Sequence, residues 1–283
     1  MDTNISIYEY AKVNLAEKER KSAIWFYGNS INFKECFEKI DNIADNLCNI
    51  GIKFGDVITI HAPNCPEAIM AIYAIAKIGA IANLVHPLMP LTALKENMKR
   101  TQSRVLISSN IFKDAEKVDF AEHIYCVRMS QSMGFISKAY TEFQSHYYMP
   151  KGTRNFIELE KKCKKKFTYP NAKFLSDKCV CYMHSSGSTG SPKIVMHSHK
   201  NINNWAENYR NYRKRCNFSA NPVSSSFLPL FHGAGFAEGM HVQFSAGWEI
   251  ILISKINIKQ IIRLIKRKKI CKLRVGNRGY CGF

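Results

Sequence analysis

The chain has 283 residues, enough for one large α/β domain or two small ones, and 46% of them are hydrophobic and 12% aromatic. This composition excludes an intrinsically disordered chain and is typical of a globular one. The formal net charge of +19 favours a polyanionic partner such as a nucleotide, nucleic acid or anionic lipid, or else reflects only a solvated, lysine-rich surface.

Helices and strands alternate along the first half of the chain. Residues 33–50 place apolar side chains at helical spacing, and short apolar segments separated by turns continue from there to residue 127. This order is typical of a parallel sheet with crossover helices, so we expect an α/β fold with layered parallel or mixed sheets. The predicted elements are a helix at 33–50, a strand at 57–60, a helix at 66–77, a strand at 80–85, a helix at 92–100 and strands at 105–107 and 124–127.

Two of these helices begin with capping signals. Asn32 and Glu35 fit a capping box at the first helix, and Gly51 fits its C-terminal stop. Asn64 is the expected cap of the helix that begins at Pro66.

The second half of the chain is less regular. Residues 129–173 are polar, basic and weakly periodic, and we interpret them as a long excursion with one short helix near 156–163. Regular structure returns with a strand at 179–184. The elements predicted after it are a helix at 199–212, strands at 227–230 and 249–253 and a helix at 256–265, with a turn at 231–235.

Neither a leader nor a membrane span is predicted. The first four residues show no basic, apolar leader, so we expect a cytoplasmic protein whose ten cysteines are reduced. The apolar stretch 68–85 contains Lys77 and is interpreted as a buried helix and strand, not as a transmembrane segment. Cys179 and Cys181 have strand spacing without a second ligand pair, so we predict no metal site there.

A loop rich in glycine and hydroxyl side chains follows the strand at 179–184. Gly187 and Gly190 allow the backbone to fold tightly and to point N–H groups at an anion, and Lys193 adds a positive charge. The loop lacks the Gly-Lys-Ser/Thr end of a Walker A sequence. These residues alone therefore leave both a phosphate-binding loop and a flexible linker open. The hydroxyl donors are Ser185, Ser186, Ser188 and Thr189.

The loop belongs to a longer pattern. Residues 185–193, with Val195 and residues 198–201, resemble the AMP-binding signature of the adenylate-forming superfamily, except that Ile194 stands where the family usually has glycine. The resemblance covers most of residues 20–265 and points to the acyl-CoA synthetase type. Further segments that resemble family landmarks, in the family's order, are 51–57, 63–67, 77–80 and 228–235.

The resemblance implies ATP-dependent activation of a carboxylic acid to an acyl adenylate. His232, followed by Gly233, would lie beside the carboxylate and favours an acyl or aryl acid over an amino acid; on its own, a histidine in a turn more often caps a loop. No residue is assigned to acid–base catalysis, because a carboxylate is already ionised near neutral pH. The residues that would hold the ATP phosphates are Ser185, Ser186, Gly187, Ser188, Thr189, Gly190 and Lys193.

The same resemblance implies the other participants. Mg²⁺ would accompany ATP, and coenzyme A is the expected acceptor of the acyl group. The basic runs, including Lys161 to Lys166, carry no zinc-finger, helix-turn-helix or aromatic-interleaved pattern, so no specific nucleic acid is expected. A nucleic-acid-binding protein nevertheless stays an alternative that rests on charge alone.

Several motifs that the resemblance would require do not occur in these 283 residues. They are the aromatic-Gly-x-Thr-Glu motif, the ribose-binding aspartate and the C-terminal lysine. We therefore expect a partial N-terminal adenylation domain at 1–271, an aberrant basic tail at 272–283 without strand or helix, as after a frameshift or early stop, and no C-terminal domain. Little or no ligase activity is expected from the chain alone. A split ligase completed by a partner chain and a pseudoenzyme that still binds a nucleotide or acyl ligand are the alternatives.

Overall fold

A computed structural model describes residues 2–15, 17–145, 149–185, 193–216, 223–226, 228–254, 262–264, 266, 270–274 and 280–281. This part of the chain has an α/β fold with two mixed sheets and helices packed against them, as the sequence predicts. None of its helices combines the length and the apolar character that crossing a membrane requires.

Within the described residues, the larger sheet has seven strands. They are β3 (Val57–His61), β4 (Ile81–Leu84), β5 (Val105–Ser109), β6 (His123–Val127), β7 (Arg154–Asn155), β8 (Cys179–Ser185) and β9 (Lys193–Ser198). Their order is β7-β6-β5-β3-β4-β8-β9, and every pair is parallel except β8 with β9. The predicted parallel sheet is thus confirmed, and an antiparallel edge strand that the sequence analysis did not foresee completes it.

In the part of the chain that the structure describes, the second sheet has six strands. They are β1 (Ser22–Phe26), β2 (Asn29–Asn32), β10 (Val223–Ser226), β11 (Ile250–Leu252), β12 (Ile270–Arg274) and β13 (Tyr280–Cys281). Their order is β13-β12-β10-β11-β1-β2. Residues from early and late parts of the chain therefore pair in one sheet, which local sequence patterns do not reveal.

The helices cover both sheets. They are α1 (Ile7–Asn14), α2 (Phe33–Asn49), α3 (Pro66–Ile78), α4 (Leu91–Arg100), α5 (Phe135–Ser145), α6 (Ile157–Glu160), α7 (Ala172–Leu175), α8 (His199–Arg215) and α9 (Val242–Ser245), with a 3₁₀ turn at Ala115–Lys117 and a π-helix at Gly235–His241. The predicted helices at 33–50, 66–77, 92–100 and 199–212 correspond to α2, α3, α4 and α8.

Helix α3 lies in the main core of the molecule. Every residue of it except Lys77 is buried, because it packs among residues of both sheets. Ile24 and Leu252 belong to the same core cluster from one sheet, and Ile58 and Ile60 from the other. Burial of this helix thus couples the two sheets into one hydrophobic core.

The structure corrects two predictions about residues near this core. Asn64 does not cap α3: the N-cap is Cys65, without a side-chain hydrogen bond, and Asn64 binds the backbone near residue 228 instead. The strand expected at 227–230 lies earlier, at Val223–Ser226, because Leu228 to Leu230 turn toward Asn64. Asn64, which resembles a helix cap in the sequence, therefore makes a long-range contact instead.

Two further differences concern segments in which the sequence analysis predicted little or no regular structure. The excursion at 129–173 contains the eleven-residue helix α5, in addition to the short helix α6 that was predicted near 156–163. Strand β12 continues to Arg274 and Tyr280–Cys281 pairs with it, so the expectation of no strand after residue 271 is wrong. Most of the helix predicted at 256–265 lies outside the described residues.

Truncation of a side chain on α3 tests the position of this core. Replacing Ile72, which is 0% exposed, with alanine leaves a cavity and is expected to lower the free energy of unfolding by about 2–5 kcal/mol. The matched control is Ile111→Ala, which removes the same atoms at a position that is 55% exposed, with an expected cost below about 0.5 kcal/mol. Urea denaturation measures both, and equal losses would contradict the burial of α3.

Candidate functional site

The glycine- and serine-rich loop leaves the sheet between β8 and β9. Ser185 is the last residue of β8 and Lys193 the first of β9, and the two are register partners. Both side chains are exposed. The structure therefore places Ser185 and Lys193 together at the base of the loop. The other predicted phosphate-binding residues, Ser186, Gly187, Ser188, Thr189 and Gly190, lie outside the described residues.

A buried polar network fixes the end of β8. His184 Nε2 lies 2.8 Å from Asn83 Oδ1, and Asn83 Nδ2 donates to Asn97 Oδ1 at 2.8 Å and to Thr59 Oγ1 at 2.9 Å. The amide oxygen of Asn83 is an acceptor, so the hydrogen of neutral His184 is on Nε2. Burial, and then the charge of Arg100, lower the pKa of His184. This network joins β3, β4, α4 and β8 immediately beneath the loop.

The sequence analysis assigned no residue to acid–base catalysis, and the contacts of His184 are structural. It gave no role to Asn83, which supplies the centre of the network and is completely buried. The available signal was an asparagine inside an apolar strand, because a buried amide in that position needs partners for both of its polar atoms.

The turn that carries His232 is held from below by Asn64. Asn64 Nδ2 donates to Leu228 O at 2.9 Å, and Leu230 N donates to Asn64 Oδ1 at 3.0 Å. The turn closes through a hydrogen bond from His232 N to Pro229 O, 3.0 Å long. The side chain of His232 is exposed. A rigid backbone thus presents an accessible imidazole.

Glycine is required where this turn folds back. A Cβ on Gly235 would collide with the carbonyl group of Pro229, so no other residue fits without moving the backbone. Gly233 is under less constraint, because a Cβ there would lie 3.7 Å from Met183 Sδ, an ordinary contact. Gly233 is the point at which the turn lies directly beside β8.

The structure brings the two candidate segments to the same edge of the sheet. Gly233 approaches Met183, which lies two residues before Ser185 on β8, and the ring of Phe231 packs on His86 with 4.7 Å between ring centroids. His86 follows the end of β4, the parallel neighbour of β8. Ligands of open parallel sheets bind outside the carboxyl ends of the strands, and both Ser185 and the His232 turn lie at this end of β8.

A second buried network supports the π-helix that follows the turn. Asn203 Nδ2 donates to Ile5 O at 2.8 Å and to Thr3 O at 3.2 Å, so its Oδ1 accepts from His241 Nε2, 3.0 Å away. His241 Nδ1 then accepts from the Tyr73 hydroxyl at 3.0 Å. Burial lowers the pKa of His241 to about 3. The imidazole is therefore neutral and does not titrate near neutral pH.

His199, another histidine close to the loop in sequence, has a similar role. It is buried, its Nδ1 accepts from Ile7 N at 3.1 Å, and burial lowers its pKa to about 3. These contacts hold helix α1 against α8. The sequence analysis assigned His199 no acid–base function, in agreement with a buried and neutral imidazole.

The donors available at this edge suit an anionic ligand. In the described part of the chain, no three His, Cys, Asp or Glu side chains come together as ligands of a metal ion would. Among the described groups that reach solvent here are the hydroxyl of Ser185, the ammonium of Lys193 and the imidazole of His232. A cation and hydrogen-bond donors stabilise phosphate or carboxylate charge without proton transfer.

Comparison with protein families gives an independent result. The sequence model of the family described as "AMP-binding enzyme" matches residues 12–275. The chain is 24% identical over 246 residues to 4-coumarate–CoA ligase 4 of Arabidopsis thaliana, covering 86% of this chain and 41% of that protein. It is also 24% identical over 266 residues to the long-chain-fatty-acid–CoA ligase of Bacillus subtilis strain 168, covering 88% and 46%.

The fold agrees with a solved structure. The anthranilate CoA ligase AuaEII, crystallised with anthranoyl-AMP, superposes with a TM-score of 0.78 at 16% identity, over 96% of this chain and 49% of that one. At this identity the likeness establishes the fold, which is that of the N-terminal domain of adenylate-forming enzymes. The chain spans less than half of the length of the curated relatives named above.

The neutral state of His241 predicts a pH effect on stability. An unfolded histidine binds a proton near its ordinary pKa of 6.5, whereas His241 in the folded chain does so only near 3. Between these values the unfolded state binds more protons, so this residue makes the folded chain less stable as pH falls. The variant His241→Gln has no imidazole at this position, so it does not lose this part of its stability as pH falls.

We expect His241→Gln to be less stable than the parent at pH 7.5 by about 1–3 kcal/mol, because hydrogen bonds to Tyr73 and Asn203 are impaired. At pH 4.5 the difference should shrink by about 1 kcal/mol or more. Urea denaturation at both pH values measures the difference. Glu67, whose pKa burial raises to about 7, acts in the opposite direction but equally in both proteins. A difference that is constant with pH would show that His241 is not held neutral.

Proposed function

Because the chain belongs to the AMP-binding enzyme family, we propose that it carries the nucleotide-binding and acid-binding part of an ATP-dependent ligase that converts a carboxylic acid into an acyl adenylate. The observation that carries this proposal is that the His232 turn lies beside Met183 of β8, two residues before Ser185, at the carboxyl ends of β4 and β8. It supports a phosphate chain and a carboxylate held side by side.

The proposed reaction needs positioning and charge stabilisation more than acid–base chemistry. A carboxylate oxygen attacks the α-phosphorus of ATP, the bond from that phosphorus to the bridging oxygen of the β-phosphate breaks, and pyrophosphate leaves with the electron pair. Both reactants are anions and repel each other, so the cation of Lys193 and the donors of the loop lower the barrier. No proton has to move, which suits a site whose buried histidines are neutral.

The acid is proposed to bind at the His232 turn. The imidazole of His232 is exposed, and Asn64 holds the backbone of the turn in place. His232 can therefore donate a hydrogen bond to a carboxylate without reorganisation of the turn. The relatives are named as ligases of 4-coumarate and of long-chain fatty acids, which supports an acyl or aryl acid as substrate. Both names also support coenzyme A as the acceptor in a second step.

Mg²⁺ is proposed to enter with ATP. The described residues offer no carboxylate cluster for it. Magnesium in nucleotide enzymes is commonly held by substrate phosphates and water with few protein ligands, so hydroxyl groups of the loop and the phosphates themselves suit it. The ion would neutralise phosphate charge in addition to Lys193.

We further infer that the 283 residues bind ATP but do not complete the reaction by themselves. The chain spans 41–46% of the length of the relatives, and the resemblance assigns the adenine, ribose and second lysine contacts to motifs that these residues do not contain. Adenylation would then need those groups from outside these 283 residues.

Replacing Lys193 tests the phosphate site. Lys193→Ala is expected to weaken binding of magnesium-ATP roughly threefold to tenfold, because one charge opposite the phosphates is lost in a partly solvated position. The control is Lys173→Ala, an exposed lysine on α7. Helix α7 packs near Gly79, at the other end of β4, so this change removes the same charge away from the site. Titration calorimetry measures the affinities.

Equal affinities for the parent, Lys193→Ala and Lys173→Ala would contradict the assignment of Lys193 to the phosphates. The same samples, given ATP, magnesium and a panel of fatty and aryl acids, separate binding from turnover. We expect no acid-dependent pyrophosphate from the parent chain. Release of pyrophosphate would show that these residues suffice for adenylation and that the inferred need for further groups is wrong.

A further inference from the structure

Helix α5 exposes its apolar side to solvent. Phe135 is 87% exposed, Ile136 83%, Tyr140 63% and Phe143 85%. Together with exposed Ala139 they stand at positions i, i+1, i+4, i+5 and i+8, which form one continuous stripe on a helix. We call these five residues the α5 apolar face. Large exposed apolar patches on a protein surface mark interaction sites.

The polar side of the same helix holds it against the protein. Glu142 accepts a hydrogen bond from Ser130 at 2.9 Å and pairs with Arg128 at 3.1 Å. Thr141 contacts Met133, and Lys138 N donates to Gly134 O at the first turn. These contacts fix the rotation of the helix about its axis, so the α5 apolar face points outward as a consequence of the fold.

We propose that the α5 apolar face binds the surface of an anionic membrane. An interfacial helix lies flat with its apolar side among the headgroups and upper acyl chains, and its polar side toward water or protein. The eleven residues of α5 span about 16 Å, long enough to lie in that layer. Aromatic side chains are favoured at this depth, and Phe135, Tyr140 and Phe143 supply three.

Charge decides between a lipid surface and a second copy of the chain. Two copies that each carry a formal charge of +19 repel one another, whereas the same charge attracts a surface of anionic lipids. Lys138 is half-buried beside the α5 apolar face, and its long side chain can reach headgroup phosphates.

An exposed basic segment lies in the same region of the molecule. Ser132, just before α5, donates to the buried carboxylate of Glu67 at 2.6 Å, and the charge of Glu160 acts on that same carboxylate. Glu160 directly precedes the run in which Lys161, Lys162, Lys164 and Lys165 are exposed. Basic clusters next to an apolar helix strengthen binding to anionic lipid. This proposal does not depend on the proposed ligase function.

Vesicle co-sedimentation of the full chain tests the proposal. The probes are phosphatidylcholine vesicles with and without phosphatidylglycerol. The parent should bind the phosphatidylglycerol vesicles more tightly, and added salt should weaken that binding. The combined variant Phe135→Ser, Ile136→Ser and Phe143→Ser should bind them at least about tenfold more weakly, because three apolar side chains no longer enter the bilayer.

The matched control is Val13→Ser, Leu88→Ser and Ile111→Ser, three exposed apolar side chains away from α5, which should bind as the parent does. Thermal melts of both variants, whose altered side chains are exposed, verify that they are folded. Undiminished binding by the α5 variant would overturn the proposal. The proposal would also be overturned if the parent did not bind vesicles but formed a dimer that the α5 variant could not form. The α5 apolar face would then bind a second copy of the chain.

Discussion

Two buried asparagine side chains determine the geometry on which the candidate site depends. Asn83 bonds to His184, Asn97 and Thr59 and so ties three neighbouring elements to the end of β8. Asn64 bonds to both sides of the segment that leads into the His232 turn, through Leu228 O and Leu230 N. A buried amide left without partners costs more free energy than its hydrogen bonds contribute when made, so each network persists only as a whole. The two buried networks therefore position the segments that form the candidate site.

The groups beneath the site and the groups at its surface differ in charge. Histidines beneath the surface, His184 and His241, are neutral because burial disfavours the imidazolium form. Lys193 and His232 are exposed and meet solvent at the mouth of the site. A neutral interior below exposed donors suits chemistry between two anions, in which charge has to be stabilised at the surface and no proton relay is needed.

The sequence predicts the parts of this fold that depend on local patterns. The apolar periodicity of α2 and the short apolar runs of β3 to β6 predicted the parallel sheet. The loop motif indicated that Ser185 and Lys193 lie at the two ends of one loop. Long-range contacts gave no such signal. Asn64 carried a capping pattern but bonds across to Leu228, and none of the residues of β9 is buried, so no alternation of apolar and polar residues marks it as a strand. Helix α5 was missed because it is only eleven residues long and lies within the polar, basic stretch 129–173, which was interpreted as a whole.

Hydrogen exchange followed by mass spectrometry, with and without magnesium-ATP and a fatty or aryl acid, tests most directly whether the loop and the turn form one site. The account predicts slower exchange in peptides covering 183–197 and 228–236 together, and no change in residues 172–178 of the α7 region. Protection of neither segment, or protection confined to the basic run at 161–166, would contradict it, because nucleotide would then bind only through the general positive charge of the chain.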